Sequence, residues 1–359
     1  MSKTQEGATT RPIQRRQVLH TAAALGAAAA TGAGWAQAPA APSTLNVIAF
    51  GGGVNWPIWV AQERGFFARQ GLAVNLQFTP NSVELMQGLV GGRFDIAMAA
   101  IDNLVGYMED QGEAPLPVVP GVAPGAPPEL FAFLGNQRGM LRVVAQPEVK
   151  TWADLRGQSV AVDALTTGFA FVLYRMMEMG GLATNDVRLE RLGATPMRVQ
   201  ALAEKRTAAS IINAPLEAPL MARGYTRLGD ATEALGAYQG TVGMAHRPWV
   251  RTANNEARLQ GYTRAWVEAM DWLTNPANRD EALAIYMRGM RVEQPAAEGA
   301  YRLLLGNPRE GLNPRGQLDL DGIRTVLRLR NQFGTPKKEI AIDPTRYIDE
   351  RYWRAAIGG

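Results

Sequence analysis

A chain of 359 residues with no cysteine and two histidines excludes disulfides, thiolate metal sites and a cysteine nucleophile, and leaves little for a histidine triad or metal cage. Its 37 basic and 33 acidic side chains give a formal charge of +4, yet Lys3, Arg11, Arg15 and Arg16 stand against Glu6 alone in the first forty residues. Without that segment the counts are 33 and 32 and the charge is +1, with no long basic run to suggest a nucleic-acid groove.

The first forty residues read as an export signal. Arg15-Arg16 precede a stretch of Ala, Gly and Thr, and small residues close it at 36–40. The arginine pair and the weakly apolar stretch suit the twin-arginine translocase, with cleavage after Ala40 and the mature chain in the periplasm or cell-envelope space. Residues 21–33 are too few and too weakly apolar to span a bilayer. His20 leaves with the signal, so His246 is the one histidine of the mature chain.

Beyond the signal, strand and helix patterns alternate. The spacing predicts a strand over 45–50, a glycine-rich loop Gly51-Gly52-Gly53-Val54-Asn55-Trp56, a helix over 57–70 and a strand over 72–78. A helix follows over 82–90, with Val83, Met86, Leu89 and Val90 on one face, then a strand over 94–100. This βαβαβ order predicts a largely parallel sheet covered by helices on both faces. A Pro/Gly-rich passage, "PLPVVPGVAPGAPPEL", interrupts the alternation.

The pattern then restarts with strands over 141–145 and 159–162 and a helix over 168–179, whose Phe169, Val172, Leu173 and Met176 face a core. Next come a strand over 187–192, a helix over 196–205 capped by Thr195, a strand over 208–212 and a helix over 214–223 ended by Gly224. After Tyr238 the chain turns to helices rich in Trp, Leu and Arg, and no repeat of solenoid period is present. About 320 mature residues exceed one core, so two α/β lobes with a cleft between them are expected. Open α/β sheets bind ligands beyond the carboxyl ends of their strands, which locates candidate residues in the strand-to-helix loops.

Four phrases, "WPIWVAQERGFFARQGLAV", "GLVGGRFDIAMAAID", "TWADLRGQSVAVDALTTGFAF" and "AASIINAPLEAPLMARGYTRLGD", resemble the NMT1/SsuA/THI5-like family of periplasmic solute-binding proteins over roughly 45–246. That family serves ABC importers of sulfonates, nitrate-type anions, thiamine precursors and related solutes. The resemblance implies the type II periplasmic-binding-protein fold, two α/β lobes joined by two crossing segments with the ligand cleft between them. Lobe one would hold 44–139 and return over 240–359 with the C-terminal helices, lobe two would hold 140–239, and the crossings would lie near 141–146 and 241–246.

The loops nominate the ligand contacts. Gly52 and Gly53 let the backbone approach a ligand, and Asn55 and Trp56 open the next helix, where free N–H groups favour an acceptor. Trp59 lies further into the helix and reads as packing. Asn81 and Ser82 open the second helix as caps, and the resemblance implies a ligand contact for Ser82. Asp102, beside Asn103, either caps its helix or faces the cleft and favours a ligand that donates hydrogen bonds. In lobe two, Thr166 and Thr167 before Gly168, together with Asn213 and Glu217, occupy the matching loops, while Tyr238 and Gln239 precede the return crossing. His246 reads as structural. No lysine or arginine occupies these loops, which favours a neutral or cationic organic solute with an aromatic or amide portion.

The expected protein is a non-catalytic, monomeric receptor without cofactor or metal. It would capture a small organic solute (a sulfonate, a pyrimidine or thiamine precursor, or a related nitrogen compound) and present it to an ABC permease and its ATPase on other chains. No G-x-x-x-x-G-K-[ST] loop is present. The rivals are an enzyme on the same fold, desulfinase-like or pyrimidine-synthase-like, and a ligand sensor for a membrane signalling partner. The enzymes that the resemblance brings to mind depend on cysteine or histidine. The export reading has a direct test: replacing both Arg15 and Arg16 by Lys is expected to abolish appearance of the protein in the periplasmic fraction, and unchanged export would contradict a twin-arginine route.

Overall fold

The computed structural model of the protein describes residues 41–119, 123, 125–252 and 254–358; the expected export signal and cleavage site lie outside the described residues. The strands are, in chain order, β1 (Ser43–Phe50), β2 (Leu72–Thr79), β3 (Ile96–Ala100), β4 (Leu130–Gly135), the two-residue β5 (Gln137–Arg138) and β6 (Leu141–Ala145). They continue as β7 (Ser159–Val162), β8 (Arg188–Arg191), β9 (Ala209–Asn213), β10 (Thr226–Asp230), β11 (Thr241–His246) and the two-residue β12 (Gly311–Leu312). Two five-stranded sheets result, ordered β2-β1-β3-β11-β4 and β10-β6-β9-β7-β8.

Helical crossovers make the parallel pairs, β1 with β2 and β3 in one sheet, β7 with β8 and β9 in the other. The antiparallel strands β11 and β6 are those the chain enters from the opposite sheet. Both sheets are therefore mixed. The passages between sheets fall at 136–140 and 238–240, earlier than expected, because 141–145 and 241–246 are already ladder strands. They run side by side: Gly240 N donates to Gln137 O and Gly139 N to Tyr238 O, each at 2.9 Å.

Strand alternation divides the first sheet between two apolar layers. Leu45, Val47 and Ala49 face the helices Trp56–Glu63, Asn255–Thr274 and Arg279–Met290, whereas Ile48 faces the opposite layer. The helix Leu320–Phe333 packs against both Ile101–Met108 of lobe one and Gly168–Met179 of lobe two.

Several elements differ locally from expectation. The helix over 57–70 is two pieces, Trp56–Glu63 and Phe66–Arg69, because Gly65 adopts a left-handed φ of 69°. Leu85 rather than Val83 completes the buried face of Ser82–Val90. Thr195 is the first residue of its helix instead of the cap, which falls on Ala194. Residues 214–217 form a turn, and only Ala218–Met221 of the expected 214–223 helix is helical.

Trp56 shows what the lobe-one core demands. Its indole is 0% exposed, lies 4.6 Å from the Tyr286 ring and donates from Nε1 to Ala282 O at 3.1 Å. Trp56→Ala is expected to cost about 3–5 kcal/mol of folding stability through the cavity left behind. Urea denaturation would read it, and a loss under about 1 kcal/mol would contradict this packing.

Candidate functional site

The carboxyl ends of the parallel strands of both sheets converge on one small, partly open cavity. Lobe one contributes Phe50, Gly51, Val54 and Asn55 after β1, and Ala100 and Asn103 at the end of β3. Lobe two contributes Asp163, Thr167 and Phe169 after β7, Ala194, Thr195 and Arg198 after β8, and Asn213 and Leu216 at the end of β9. Asn136 and Thr241, where the chain crosses between sheets, also line it.

The loop after β1 is shaped by close approach. A Cβ at Gly53 would fall 2.3 Å from the Tyr286 hydroxyl, so only glycine fits, while Gly52 sits across from Leu216 of lobe two. Asn55 braces the loop, its Nδ2 donating to Phe50 O at 2.8 Å and Gly52 O at 2.9 Å. Its Oδ1 is buried without a protein partner among the described residues. Trp56, expected at the ligand, points instead into the lobe-one core, because successive residues at a helix start face different directions. Trp59 packs there too, 6.2 Å from the Tyr286 ring.

Ser82 is buried behind the Asn81 cap, whose Oδ1 accepts from Glu84 N at 2.8 Å, and does not line the cavity. Its loop meets lobe two directly, Ala194 N donating to Pro80 O at 2.9 Å. Asp102 is not available to a ligand. Its carboxylate takes two bonds from Arg330, from Nε at 2.8 Å and from Nη2, with both side chains 1% exposed. Arg330 Nη2 also donates to Thr166 O of lobe two at 2.9 Å. Asn103, one residue on, is the side chain of that loop that lines the cavity.

In lobe two, Thr166 is held by Glu113 of lobe one, which accepts from its hydroxyl and, at 3.1 Å, from its N–H. Thr167 does line the cavity, its hydroxyl donating to Asp163 Oδ1 at 2.7 Å. Burial pushes the Asp163 carboxyl up, against the pull of Arg198 and Thr167. Asn213 lines the cavity while exchanging amide bonds with Gln137, at 3.0 and 3.3 Å. Glu217 lies off the cavity, its carboxyl raised by burial, and Leu216 occupies the lining instead. Gln239 ties the crossings to each other, donating to Gln137 O and Thr241 O at 2.9 Å. Tyr238 is buried close to Gly168, and His246 lies away from the cavity, its pKa lowered by burial.

Among the polar lining residues that the sequence did not nominate are Asp163, Asn136 and Arg198, with Thr195 and Thr241. Asp163 stood in a loop already singled out. Asn136 lies beside a crossing placed too late in the chain. Arg198 overturns the reading of a cleft without cations: it reaches the cavity from the first turn of Thr195–Ala203, one turn beyond the loops. It is 1% exposed, with Nη1 bonded to Ile211 O, Nη2 bonded to Thr195 Oγ1 at 2.9 Å, and Nε without a protein partner among the described residues.

Residues 38–287 match the NMT1-like family, and the chain belongs to that family. No curated protein matches the sequence. Among solved structures, a protein of Bordetella bronchiseptica RB50 is similar at 24% identity and TM-score 0.70, over 88% of this chain and 96% of that one. The nitrate-binding protein NrtA of Synechocystis PCC 6803 is similar at 13% identity and TM-score 0.70, over 88% of each chain. The alkanesulfonate-binding protein SsuA of Xanthomonas axonopodis pv. citri, bound to MOPS, is similar at 16% identity and TM-score 0.64, over 85% of this chain and 96% of that one. The fold is thus that of the periplasmic binding proteins. An enzyme carries it too: the desulfurization enzyme DSZB is similar at 15% identity and TM-score 0.56, over 88% of this chain and 99% of that one.

The buried Asp102–Arg330 pair holds the loop of one lobe against that of the other. Asp102→Ala leaves a buried guanidinium without its counter-charge, with an expected cost of about 3–5 kcal/mol. Adding Arg330→Met is expected to restore much of that loss. Denaturation of the single and double variants measures both, and equal stability of Asp102→Ala and wild type would contradict the role given to the pair.

Proposed function

We propose that the protein is the solute-binding receptor of an ABC importer, working in the periplasm and closing two lobes, 44–139 with 240–359 and 140–239, on a small organic solute. One observation carries the reading. The cavity between the lobes is walled by polar side chains that are buried yet unpaired within the protein among the described residues: Asn55 Oδ1, both amide atoms of Asn136, and Arg198 Nε. Buried polar atoms without partners cost about 1–3 kcal/mol each, and a ligand reaching both lobes supplies the partners. Because those atoms come from both lobes and a crossing, ligand binding favours the conformation in which the lobes meet, the differential affinity a closing receptor needs. Asn55, Thr167 and Asn213 act at this site, with Gly52, Ser82, Asp102 and Thr166 in the loops around it. Solute binding by NrtA and SsuA, on the same fold, supports the reading, as does membership in the NMT1-like family. No described helix is long and apolar enough to cross a membrane. In this reading the permease and ATPase are other chains.

The enzyme reading draws on DSZB. The wall offers no histidine, serine or lysine among the described residues, in a chain without cysteine, so such an enzyme would rely on Thr167 and Asp163.

A ligand present at 100 times its Kd adds about 2.7 kcal/mol to the folded form. A thermal-shift screen of small organic solutes on the purified mature chain is therefore expected to find at least one that raises Tm by a few degrees. Turnover of a sulfinate or ester, with no stabilising solute in the screen, would contradict the receptor reading.

A further inference from the structure

Four of the buried, unpaired atoms belong to side chains that line the cavity. Arg198 Nε and Asn136 Nδ2 donate; Asn55 Oδ1 and Asn136 Oδ1 accept. Asn136 is 1% exposed and offers a donor and an acceptor side by side in one plane. A group that pairs with both atoms of such an amide along one edge carries its own donor and acceptor. A carboxamide, a lactam or a urea has that edge, and a sulfonate or nitrate, with acceptors alone, does not.

The titratable groups of the wall point the same way. Among the lining residues one guanidinium, Arg198, stands with one carboxyl group, Asp163, and both come from lobe two. The Arg198 fork is turned toward the protein, with one Nη on Ile211 O and the other on Thr195 Oγ1. A bound oxoanion would meet the single Nε donor rather than a bidentate clamp, and would meet it beside a carboxyl group. Around these groups Phe50, Val54, Met98, Phe169 and Leu216 provide an apolar surround for a hydrocarbon or aromatic body.

We propose that the cleft selects an uncharged carboxamide-type solute (amide, lactam or urea) on a small apolar body, read by Asn136 with Asn55 and Arg198 on either side. This rests on the receptor reading above and names the solute class for that site.

The test has two arms on the mature chain. In the first, calorimetry compares probes of one skeleton that differ in the polar group: benzamide, phenylurea, benzoate, benzenesulfonate and benzylamine. The amide and urea are expected to bind at least tenfold more tightly than the charged members. Tighter binding of benzoate or benzenesulfonate would overturn the class while leaving a receptor. In the second arm, native mass spectrometry weighs what the protein carries from its native cells, and extraction identifies it. An uncharged amide-type molecule supports the proposal, and a net-charged one overturns it. If no probe binds and nothing is carried, the proposal falls together with the receptor reading. The variant Asn136→Leu separates recognition from scaffolding. It is expected to lose the probe or carried molecule at least tenfold in affinity while the ligand-free Tm holds or rises, since two unpaired polar atoms are removed. A lower ligand-free Tm with unchanged affinity would make Asn136 structural and overturn the assignment.

Discussion

The guanidinium of Arg330 is the point on which the two lobes depend. Buried to 1% exposure, it needs a full set of acceptors, and it finds them in three separate stretches of chain: the Asp102 carboxylate, the Thr166 carbonyl and the Gln111 carbonyl at 3.1 Å. It also lies over the Phe171 ring, 4.9 Å from its centroid. A charge so deeply desolvated holds these partners together, because loss of any one leaves it underpaired. Gly168 fits this junction for the same reason: a Cβ there would come 2.5 Å from the Asp102 Cβ. The loops that end β3 and β7 are thereby fixed face to face, and Asn103 and Thr167, one residue beyond the junction on each side, fall on the cavity wall.

This arrangement explains what could be read from the sequence. The alternation of strands and helices, and the rule that ligands gather at strand carboxyl ends, suffice to nominate the loops that hold Asn55, Thr167 and Asn213, because both are local signals. The direction of each side chain is not local. Trp56 follows Asn55 immediately, yet one step around a helix turns it from cavity to core, where Tyr286 and Ala282 wait more than 200 residues away in sequence. Asp102 reads as a cap or a ligand contact until Arg330 is known to lie against it, 228 residues on. Arg198 shows a different blindness. It sits in the first turn of a helix, reached by its long side chain, where a search confined to loops does not look.

The wall of the cavity carries both a guanidinium and a carboxyl, from Arg198 and Asp163. Besides these two groups, the wall presents amide and hydroxyl groups, so hydrogen-bond pattern is available for specificity. Burial strengthens such discrimination, since a solute that leaves Asn136 or Asn55 unpaired forfeits the desolvation cost already built into the cavity. NrtA, SsuA and DSZB share the fold, and a fold does not by itself set function.

The central claim is that these unpaired atoms belong to a ligand site between the lobes. A crystal structure of the protein purified from its native cells, with whatever it carries, tests this most directly. The account predicts a small molecule in the cavity, within hydrogen-bond distance of Asn136 and of at least one of Asn55 and Arg198. A molecule seated elsewhere, with those three side chains paired to one another or to protein backbone, would contradict it.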